Sequence, residues 1–182
     1  GKLLSFDFKS EDLKNTNYFT IKELDLNQHL NFANEFKDSS MQNLNSALHE
    51  GGFTLNIKPD FKFKYPIVIY NYLTGAFKNK IINNSDSINI SKNSNATIIE
   101  YLVDESAGNF FKNTFKYISL EENASLNYYF INKNESKNFF YENLKVKLSK
   151  NSNFKKYLFS SGMKFGKFEN NIKLNGINSS SE

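Results

Sequence analysis

Metal binding and thiol chemistry require cysteine or histidine, and this chain is poor in both. Its 182 residues include no cysteine and two histidines, His29 and His49. Neither histidine has a second histidine three or four residues away, the spacing that places two ligands on one face of a helix. We therefore expect both histidines at the surface or at helix ends, and we predict no metal site and no disulfide.

Carboxylate pairs are the next candidates for chemistry, because a glycosidase or lyase needs two of them converging on one groove. Asp104–Glu105 and Glu121–Glu122 are adjacent pairs, but neighbours on a strand point to opposite faces. We expect both pairs in solvated turns, and Glu100 in a structural role on an outer strand face. The chain also lacks a glycine-rich phosphate loop and a Gly-x-Ser-x-Gly motif. We predict that it is not an enzyme and that it has no catalytic, cofactor-binding or metal-binding residue.

Aromatic residues supply most of the bulk, with 19 Phe and 10 Tyr. Neighbouring rings at Phe110–Phe111, Tyr128–Tyr129 and Phe139–Tyr141 could form a stacking platform for bases or sugars. Because neighbours on a strand alternate between its faces, one ring of each pair should point inward. We therefore expect these rings to pack in a core and from strand to strand.

The charge pattern argues against nucleic-acid and membrane partners. The net charge is +4 and the pI about 9.0, but all 23 basic residues are lysines, interleaved with 19 acidic residues. Phosphate-binding surfaces usually have clustered charge and favour arginine. No apolar run approaches the roughly 20 residues of a membrane span, and the N-terminus lacks a signal-peptide apolar region. We expect a cytoplasmic protein, or one of the plastid stroma or lumen if it is organellar.

The elements that would position these residues change character near Gly51–Gly52. Between Lys22 and Leu48 the apolar spacing is helical and predicts two short helices, with an N-cap for the second at Asp38–Ser40 and an end at the two glycines. The apolar positions are Leu26, Leu30, Ala33, Phe36, Met41, Leu44, Ala47 and Leu48. We assign residues 1–48 to an N-terminal helical segment and residues 49–182 to a β core domain.

Beyond Gly52 the apolar spacing has a period of two, which is typical of strands. Phe53–Ile57 alternates and ends before Pro59, Phe61–Tyr65 alternates with lysines, and Ile67–Ile69 follows Pro66. The prolines therefore lie at strand ends, where a missing N–H is tolerated. From Ser87 onward nearly all of the chain is predicted to be strand and turn.

A repeat of about 30 residues is the strongest signal in the chain. Three segments align at Ile88–Ala96, Ile118–Leu126 and Val146–Phe154, and an incomplete fourth copy lies at Ile172–Gly176. Each complete copy has β-forming residues at its first and third positions, an apolar residue at its ninth, and Asn at its sixth. The shared asparagines are Asn93, Asn123 and Asn151.

The recurring Asn suits a tight corner between strands, because Asn tolerates the left-handed backbone region and hydrogen-bonds its own turn. One copy then forms one coil of a solenoid. We predict an all-β fold, a right-handed parallel β-helix with a short helical segment before it. Ile90, Leu120 and Leu148 should stack on one inward ladder. A β-sandwich would also use short alternating strands, but it does not predict one corner residue at a nearly constant spacing.

Five stretches resemble one known family in their order and spacing. They are Leu44–Pro59, Pro66–Ile69, Ala96–Tyr101, Asn123–Tyr129 and Ser161–Gly176. From about Asn43 onward the chain resembles the SufB/SufD family of iron–sulfur cluster assembly scaffold proteins. The absence of cysteine and the strand that contains Glu100 favour SufD over SufB.

The resemblance implies a non-enzymatic scaffold subunit of the SUF machinery, which pairs with a SufB-like subunit and a SufC-like ABC ATPase. It implies no cofactor on this chain alone and an iron–sulfur cluster only in the full complex. Family members continue beyond the last matched strand into the region that docks the ATPase, so we interpret this chain as a fragment without that C-terminal part. Lys167 stands where the family often has Arg, and no functional residue of the family falls on this sequence.

Two further expectations complete the sequence interpretation. If the solenoid has an exposed C-terminal coil, we expect a homodimer through that coil, at Leu174. The alternative function is a β-helical carbohydrate-binding or carbohydrate-active protein, which the lack of arginine and of converging acids makes the weaker interpretation.

Overall fold

The computed structural model describes residues 18–24, 27, 39–133 and 138–182. His29 and the apolar positions of the first predicted helix, from Leu26 to Phe36, lie outside these residues. The described residues form one helix and nine strands, which we number in chain order. They are β1 (Phe19–Glu23), α1 (Ser40–Ala47), β2 (Phe53–Ile57), β3 (Ile67–Ile90), β4 (Asn95–Leu120), β5 (Ser125–Lys133), β6 (Phe139–Leu148), β7 (Asn153–Ser161), β8 (Phe165–Leu174) and β9 (Ser180–Ser181).

The strands wind into a β-solenoid of about 4 turns, which confirms the predicted parallel β-helix. The long strands β3 and β4 pair in parallel along their whole length. The first half of β4 then pairs with β5 and its second half with β6, and β7 and β8 continue the two stacks. We call the stack of early β3, early β4, β5 and β7 the first face, and that of late β3, late β4, β6 and β8 the second face.

One residue with a left-handed backbone marks each corner between the second face of one coil and the first face of the next. The predicted corner residues Asn93, Asn123 and Asn151 have φ of 59°, 58° and 55°. Asp60 and Asn178, which the repeat did not include, take the same conformation. Each Asn amide donates to the corner residue of the preceding coil, over 2.8–3.3 Å. The corners therefore form a continuous hydrogen-bonded ladder along the outside of the solenoid.

The half of the lumen beside these corners is filled by aliphatic and aromatic side chains. Ile90, Leu120 and Leu148 are fully buried and lie opposite one another in the strand register, as predicted. On the facing strands, Leu126 and Phe154 form a second buried ladder. A slip of one residue in register would move these side chains to solvent, so burial specifies the register.

Helix α1 packs on the outside of the second face and confirms the second predicted helix. The Ser39 hydroxyl caps it by accepting the Gln42 N–H at 3.2 Å. The buried residues of α1 are Gln42 and Asn45, although the sequence pattern pointed to its apolar residues. The Asn45 amide donates to the carbonyls of Asn84 and Asn113 at 3.0 and 2.8 Å. The helix therefore docks through hydrogen bonds to strand backbone.

Three local predictions were wrong. Lys22 and Glu23 belong to β1, which pairs antiparallel with β2, and not to a helix. Phe61–Tyr65 is not a strand and makes a single bridge, from Lys62 to Asn95. These residues are confined between the corner at Asp60 and Pro66, where a ladder cannot extend because proline lacks an N–H. Asp104–Glu105 lies within β4 instead of a turn, because β4 continues as one strand through this region.

Two further points concern the predicted organisation. The domain boundary after residue 48 stays a prediction. Among the described residues, no helix has both the length and the apolar character needed to cross a membrane.

Candidate functional site

The half of the lumen farther from the asparagine corners is polar and charged. Three carboxylates and three lysine ammonium groups lie there, so that the group has no net charge when all are ionised. We call this group the lumen charge network. It consists of Asp86, Glu100, Lys112, Lys116, Glu142 and Lys156, with Tyr128 among them.

Glu100 and Lys116 form the centre of the network and join the two faces across the lumen. The Lys116 ammonium donates to both Glu100 carboxylate oxygens, at 2.8 and 2.7 Å. It also donates to the Tyr128 hydroxyl at 2.6 Å, and Tyr128 in turn donates to Glu100. The Asn71 amide gives Glu100 a further hydrogen bond at 2.7 Å. All polar atoms of this buried group thus have partners, as a charge in a low-dielectric interior requires.

Glu142 extends the network toward the last coil. Its carboxylate lies 3.5 Å from the Lys116 ammonium and accepts a hydrogen bond from Lys156 at 2.8 Å. Lys156 donates additionally to Asn170 at 3.0 Å. Glu142 therefore contacts one lysine of the preceding coil and one lysine of the following coil.

Lys112 and Asp86 occupy the other end of the network. The Lys112 ammonium donates to Asn84 and Thr114, each at 2.6 Å, so its hydrogen-bond acceptors are neutral. One Asp86 oxygen accepts the backbone N–H of Phe53 at 3.3 Å. This contact ties the network to strand β2 at the first coil.

Burial and neighbouring charge set the protonation of the network. Burial raises the pKa of Asp86 to about 6, although Lys116 and Lys112 act in the opposite direction. Burial also lowers the pKa of Lys112. For Glu142 burial opposes ionisation, but Lys116 and Lys156 outweigh it and lower its pKa to about 2. Burial likewise opposes the charge on Lys116, yet Glu100 and Glu142 raise its pKa above the usual value.

A small cavity beside the network measures about 20 Å³. Asn71, Glu100, Lys112, Asn132 and Glu142 contribute polar groups to its wall. A volume of this size holds about one water molecule, so the cavity is too small for an organic substrate. Within the described residues, no group of three or more His, Asp or Glu side chains could hold a metal ion. The arrangement can hold the two faces together and orient one water molecule.

The structure changes the interpretation of several residues singled out in the sequence. Glu100 is not on an outer strand face but fully buried in the lumen, because Ile98, Glu100 and Leu102 share the inward parity of β4. Glu121–Glu122 lies in a corner turn, as predicted. His49 follows α1 and is half-buried, and this burial lowers its pKa. In each aromatic group at least one ring is buried, as expected.

Sequence reasoning missed most of the network, although the repeat contained a signal for it. Lys116 lies two and four residues before the inward residues Ile118 and Leu120. Because strand side chains alternate with a period of two, Lys116 also points to the inward side of β4. The same parity applies to Asp86 before Ile88 and Ile90. The charge of these residues argues against an inward position, because isolated charges are rarely buried unless they are paired. The partners lie on the opposite face or on other coils and cannot be identified from spacing alone.

Comparison with known proteins agrees with this architecture. No curated protein matches the chain. The family described as "SUF system FeS cluster assembly, SufBD core domain" matches residues 72–182, which is well over half of the chain. The matched region contains β4 to β9 and most of β3, and it includes all six charged residues of the lumen network. The chain therefore belongs to the SufB/SufD family of the SUF iron–sulfur cluster assembly system.

Proposed function

We propose that this protein is a non-enzymatic scaffold subunit of the SUF iron–sulfur cluster assembly machinery. The match of the SufBD core domain over residues 72–182 carries the proposal. The lumen charge network supports it, because Glu100, Lys116, Glu142 and Lys156 are engaged in ion pairs with one another and the cavity beside them has room for about one water molecule. The role that fits such a site is architectural.

Within the family we propose a SufD-like role, in a complex with a SufB-like subunit and a SufC-like ABC ATPase in the cytoplasm or a plastid. Iron–sulfur clusters are held mainly by cysteine thiolates, and these 182 residues contain none. Cluster ligands would then come from outside these residues. ATP hydrolysis would belong to the ATPase subunit.

Purification of the complex from the native cell tests this proposal. The full-length gene product carries an affinity tag, and mass spectrometry identifies the proteins that elute with it. We expect an ABC-type ATPase and a SufB-like protein in amounts comparable to the bait. A tagged, unrelated β-rich protein from the same cells is the control. Recovery of neither protein above that control would contradict the proposed partners.

The alternative function, carbohydrate binding on a β-helix, would use exposed aromatic rings as stacking platforms. Sugars stack on open ring faces, but the exposed tyrosines turn their faces toward one another. The rings of Tyr70 and Tyr101 lie nearly parallel with centroids 5.1 Å apart, and those of Tyr129 and Tyr157 lie 4.6 Å apart. In these two pairs one face of each ring is covered by its neighbour, and this geometry favours the scaffold function.

A further inference from the structure

The outward side of the first face is apolar on all four of its strands. Every second residue of these strands points into the lumen, so the residues between them point outward. We call the outward residues within four short ranges the aromatic patch, and all of them are Val, Ile, Tyr or Phe. The ranges are 68–72, 99–103, 129–131 and 157–159.

The patch is continuous from coil to coil. Tyr70, Tyr101, Ile131 and Phe159 lie opposite one another in the strand register. The rings of Tyr70 and Tyr101 are stacked. At the two ends of this row Tyr70 is 55% exposed and Phe159 57% exposed. A contiguous, exposed apolar surface of this kind marks an interaction site, whereas single exposed apolar residues do not.

The backbone beneath the centre of the patch has no hydrogen-bonding groups to offer a partner. In the first face β4 pairs with β3 and β5, and β5 pairs with β4 and β7. A partner that packs flat on these side chains must therefore satisfy its own backbone N–H and C=O groups, which a helix does internally. A helix packed on the face of a sheet is a standard way of covering apolar side chains.

The size of the patch fits one short helix. Four strands span about 14 Å across the sheet, and residues 68–72 span about 13 Å along it. A helix is about 10 Å wide and rises about 1.5 Å per residue, so about ten residues cross the four strands. Two copies of the patch in contact would bury far less than the roughly 800 Å² per partner of a standard interface. The dimensions favour a helix over a second copy of the chain.

The border of the patch carries an excess of positive charge. Among the described residues it holds four lysines and two glutamates, which are Lys62, Lys64, Lys133, Lys155, Glu105 and Glu182. One of the lysines, Lys155, pairs with Glu182 at 2.7 Å. Lys62, Lys64 and Lys133 are exposed. This border is complementary to an acidic partner, and it would repel its own copy.

We propose that the aromatic patch binds an amphipathic helix of a partner protein, one with an apolar stripe and acidic residues beside it. Apolar residues at positions i, i+3, i+4 and i+7 would cover the rows of the patch. Carboxylates on either side of the stripe would face the border lysines. The proposal concerns the chemistry of the surface and holds whichever proteins form the complex, so its outcome is separate from that of the proposed SUF partners.

Model peptides test this chemistry with the full chain. The probe is a stapled helix of about 14 residues with Leu at the four stripe positions and Glu on both flanks, and the comparison peptide has Lys in place of Glu. Fluorescence anisotropy should give a dissociation constant at least about tenfold lower for the Glu peptide than for the Lys peptide.

Substitution of one ring tests whether the Glu peptide binds at the patch. Tyr101→Ser should weaken its binding about tenfold, because a central aromatic contact is lost. Phe139→Ser is the matched control, since Phe139 is also exposed and also contacts a ring of the next coil, but lies on the second face. It should leave the affinity unchanged. Circular dichroism verifies that both variants are folded.

A charge reversal at the border tests the acidic character of the partner. Lys64→Glu should weaken binding of the Glu peptide about threefold or more at low salt, and the difference should disappear near 1 M salt, where the screening length is about 3 Å. Lys78→Glu, at an exposed position of β3 beyond the patch, is the control. Equal affinities for the Glu and Lys peptides, or no effect of Tyr101→Ser, would overturn the proposal.

Photo-crosslinking tests which segment covers the patch in the cell. The full-length gene product carries benzoylphenylalanine in place of Tyr101, and mass spectrometry maps the peptide that becomes attached. We expect a segment of another protein with apolar residues at helical spacing and an excess of Asp and Glu. Attachment to residues 1–17 of the same chain, to a second copy or to lipid would overturn the proposal, as would the absence of any attachment.

Discussion

At each corner of the solenoid a single side chain both turns the chain and links it to the next coil. A left-handed backbone costs an ordinary L-residue roughly 1–2 kcal/mol, and Asn tolerates it better than most. Asn123 has φ of 58° and bonds to both Asn93 and Asn151. The backbone preference and the amide ladder can be separated by substitution.

Asn123→Ala should lower the free energy of unfolding by roughly 1–2 kcal/mol, since alanine is strained in the left-handed region. Asn123→Gly loses the same amide bonds but adopts this conformation without strain, so its loss should be smaller, about 0.5–1 kcal/mol from the entropy of the unfolded chain. Urea unfolding measures both values. Equal losses would mean that the amide ladder, and not the backbone conformation, provides the stability.

Asp86 should make stability depend on pH between about 4 and 6. Its pKa is about 6 in the folded protein, against 3.8 ordinarily. Over this interval the folded state retains a proton that the unfolded state has released, so stability falls as pH rises. Asp86→Asn should remove this dependence. The free energy of unfolding of the variant minus that of the parent should therefore increase between pH 4 and pH 7, by on the order of 2–3 kcal/mol.

The control for Asp86 is Glu122→Gln at an exposed corner, whose carboxyl pKa is lowered by its hydrogen bond to Lys92. That group is ionised in both states above about pH 5, so its substitution should not change the slope between pH 5 and pH 7. If the free energy of unfolding of Asp86→Asn and that of the parent change with pH in the same way, the burial assigned to Asp86 is contradicted.

At the scale of elements, the lumen network links strands that are distant in sequence. Asp86 on β3, Lys116 on β4, Glu142 on β6 and Lys156 on β7 alternate in sign from coil to coil. A coil displaced by one turn would place like charges together. Breaking one buried pair typically costs 3–5 kcal/mol, although such pairs add little net stability over apolar packing. The network therefore favours one order of coils.

The pairing of β3 with β4 depends on close backbone approach at Gly108. A Cβ atom added there would lie 1.8 Å from the carbonyl oxygen of Phe77, and the residue has φ of +98°. Gly75 on β3 has a similar φ of +105° but nothing within 4 Å of an added Cβ. The two glycines thus share a backbone strain and differ in the space around them.

Gly75→Ala should cost roughly 1–3 kcal/mol, the usual range for backbone strain, and Gly108→Ala should cost clearly more because the strands must separate. Thermal unfolding gives the difference. Hydrogen exchange should show loss of protection around Phe77 and Asn109 in Gly108→Ala alone. Equal effects of the two substitutions would show that the strands adjust to the added methyl group.

At the scale of the whole molecule, the last coil presents apolar side chains to solvent. Leu174 is 56% exposed, and Leu158 and Ile172 are also partly exposed at this end. The homodimer through the C-terminal coil stays a prediction. Leu174→Lys should shift the mass found by light scattering downward if this coil forms a contact. An unchanged mass in Leu174→Lys would contradict the contact through the C-terminal coil.

The purified chain should not retain an iron–sulfur cluster by itself, because it supplies no thiolate ligand. Anaerobic reconstitution with iron and sulfide, followed by desalting, should leave no visible absorption and far less than one iron per chain. A cysteine-containing ferredoxin treated in parallel is the control. A stable chromophore with near-stoichiometric iron would contradict this expectation.

Much of the fold could be predicted because its determinants are local and repeated. The left-handed corners at Asn93, Asn123 and Asn151 and the inward position of Ile90 follow from backbone preference and from a period of two. Both properties depend only on residues close in sequence. The N-cap of α1 at Ser39 could be predicted for the same reason, since capping is a local interaction.

The tertiary structure decided where the charges lie. Glu100 alone has no reason to be buried, because desolvation of an unpaired carboxylate is unfavourable. The return of β4 on the second face brings Lys116 to it across the lumen, and the stacking of the next coil brings Tyr128. The polar contact of Asn45 with two strands likewise depends on which strands become neighbours. The amino-acid sequence by itself determined the coil, its corners and its apolar ladder, whereas long-range packing, across the lumen and between coils, decided which charges could be buried together.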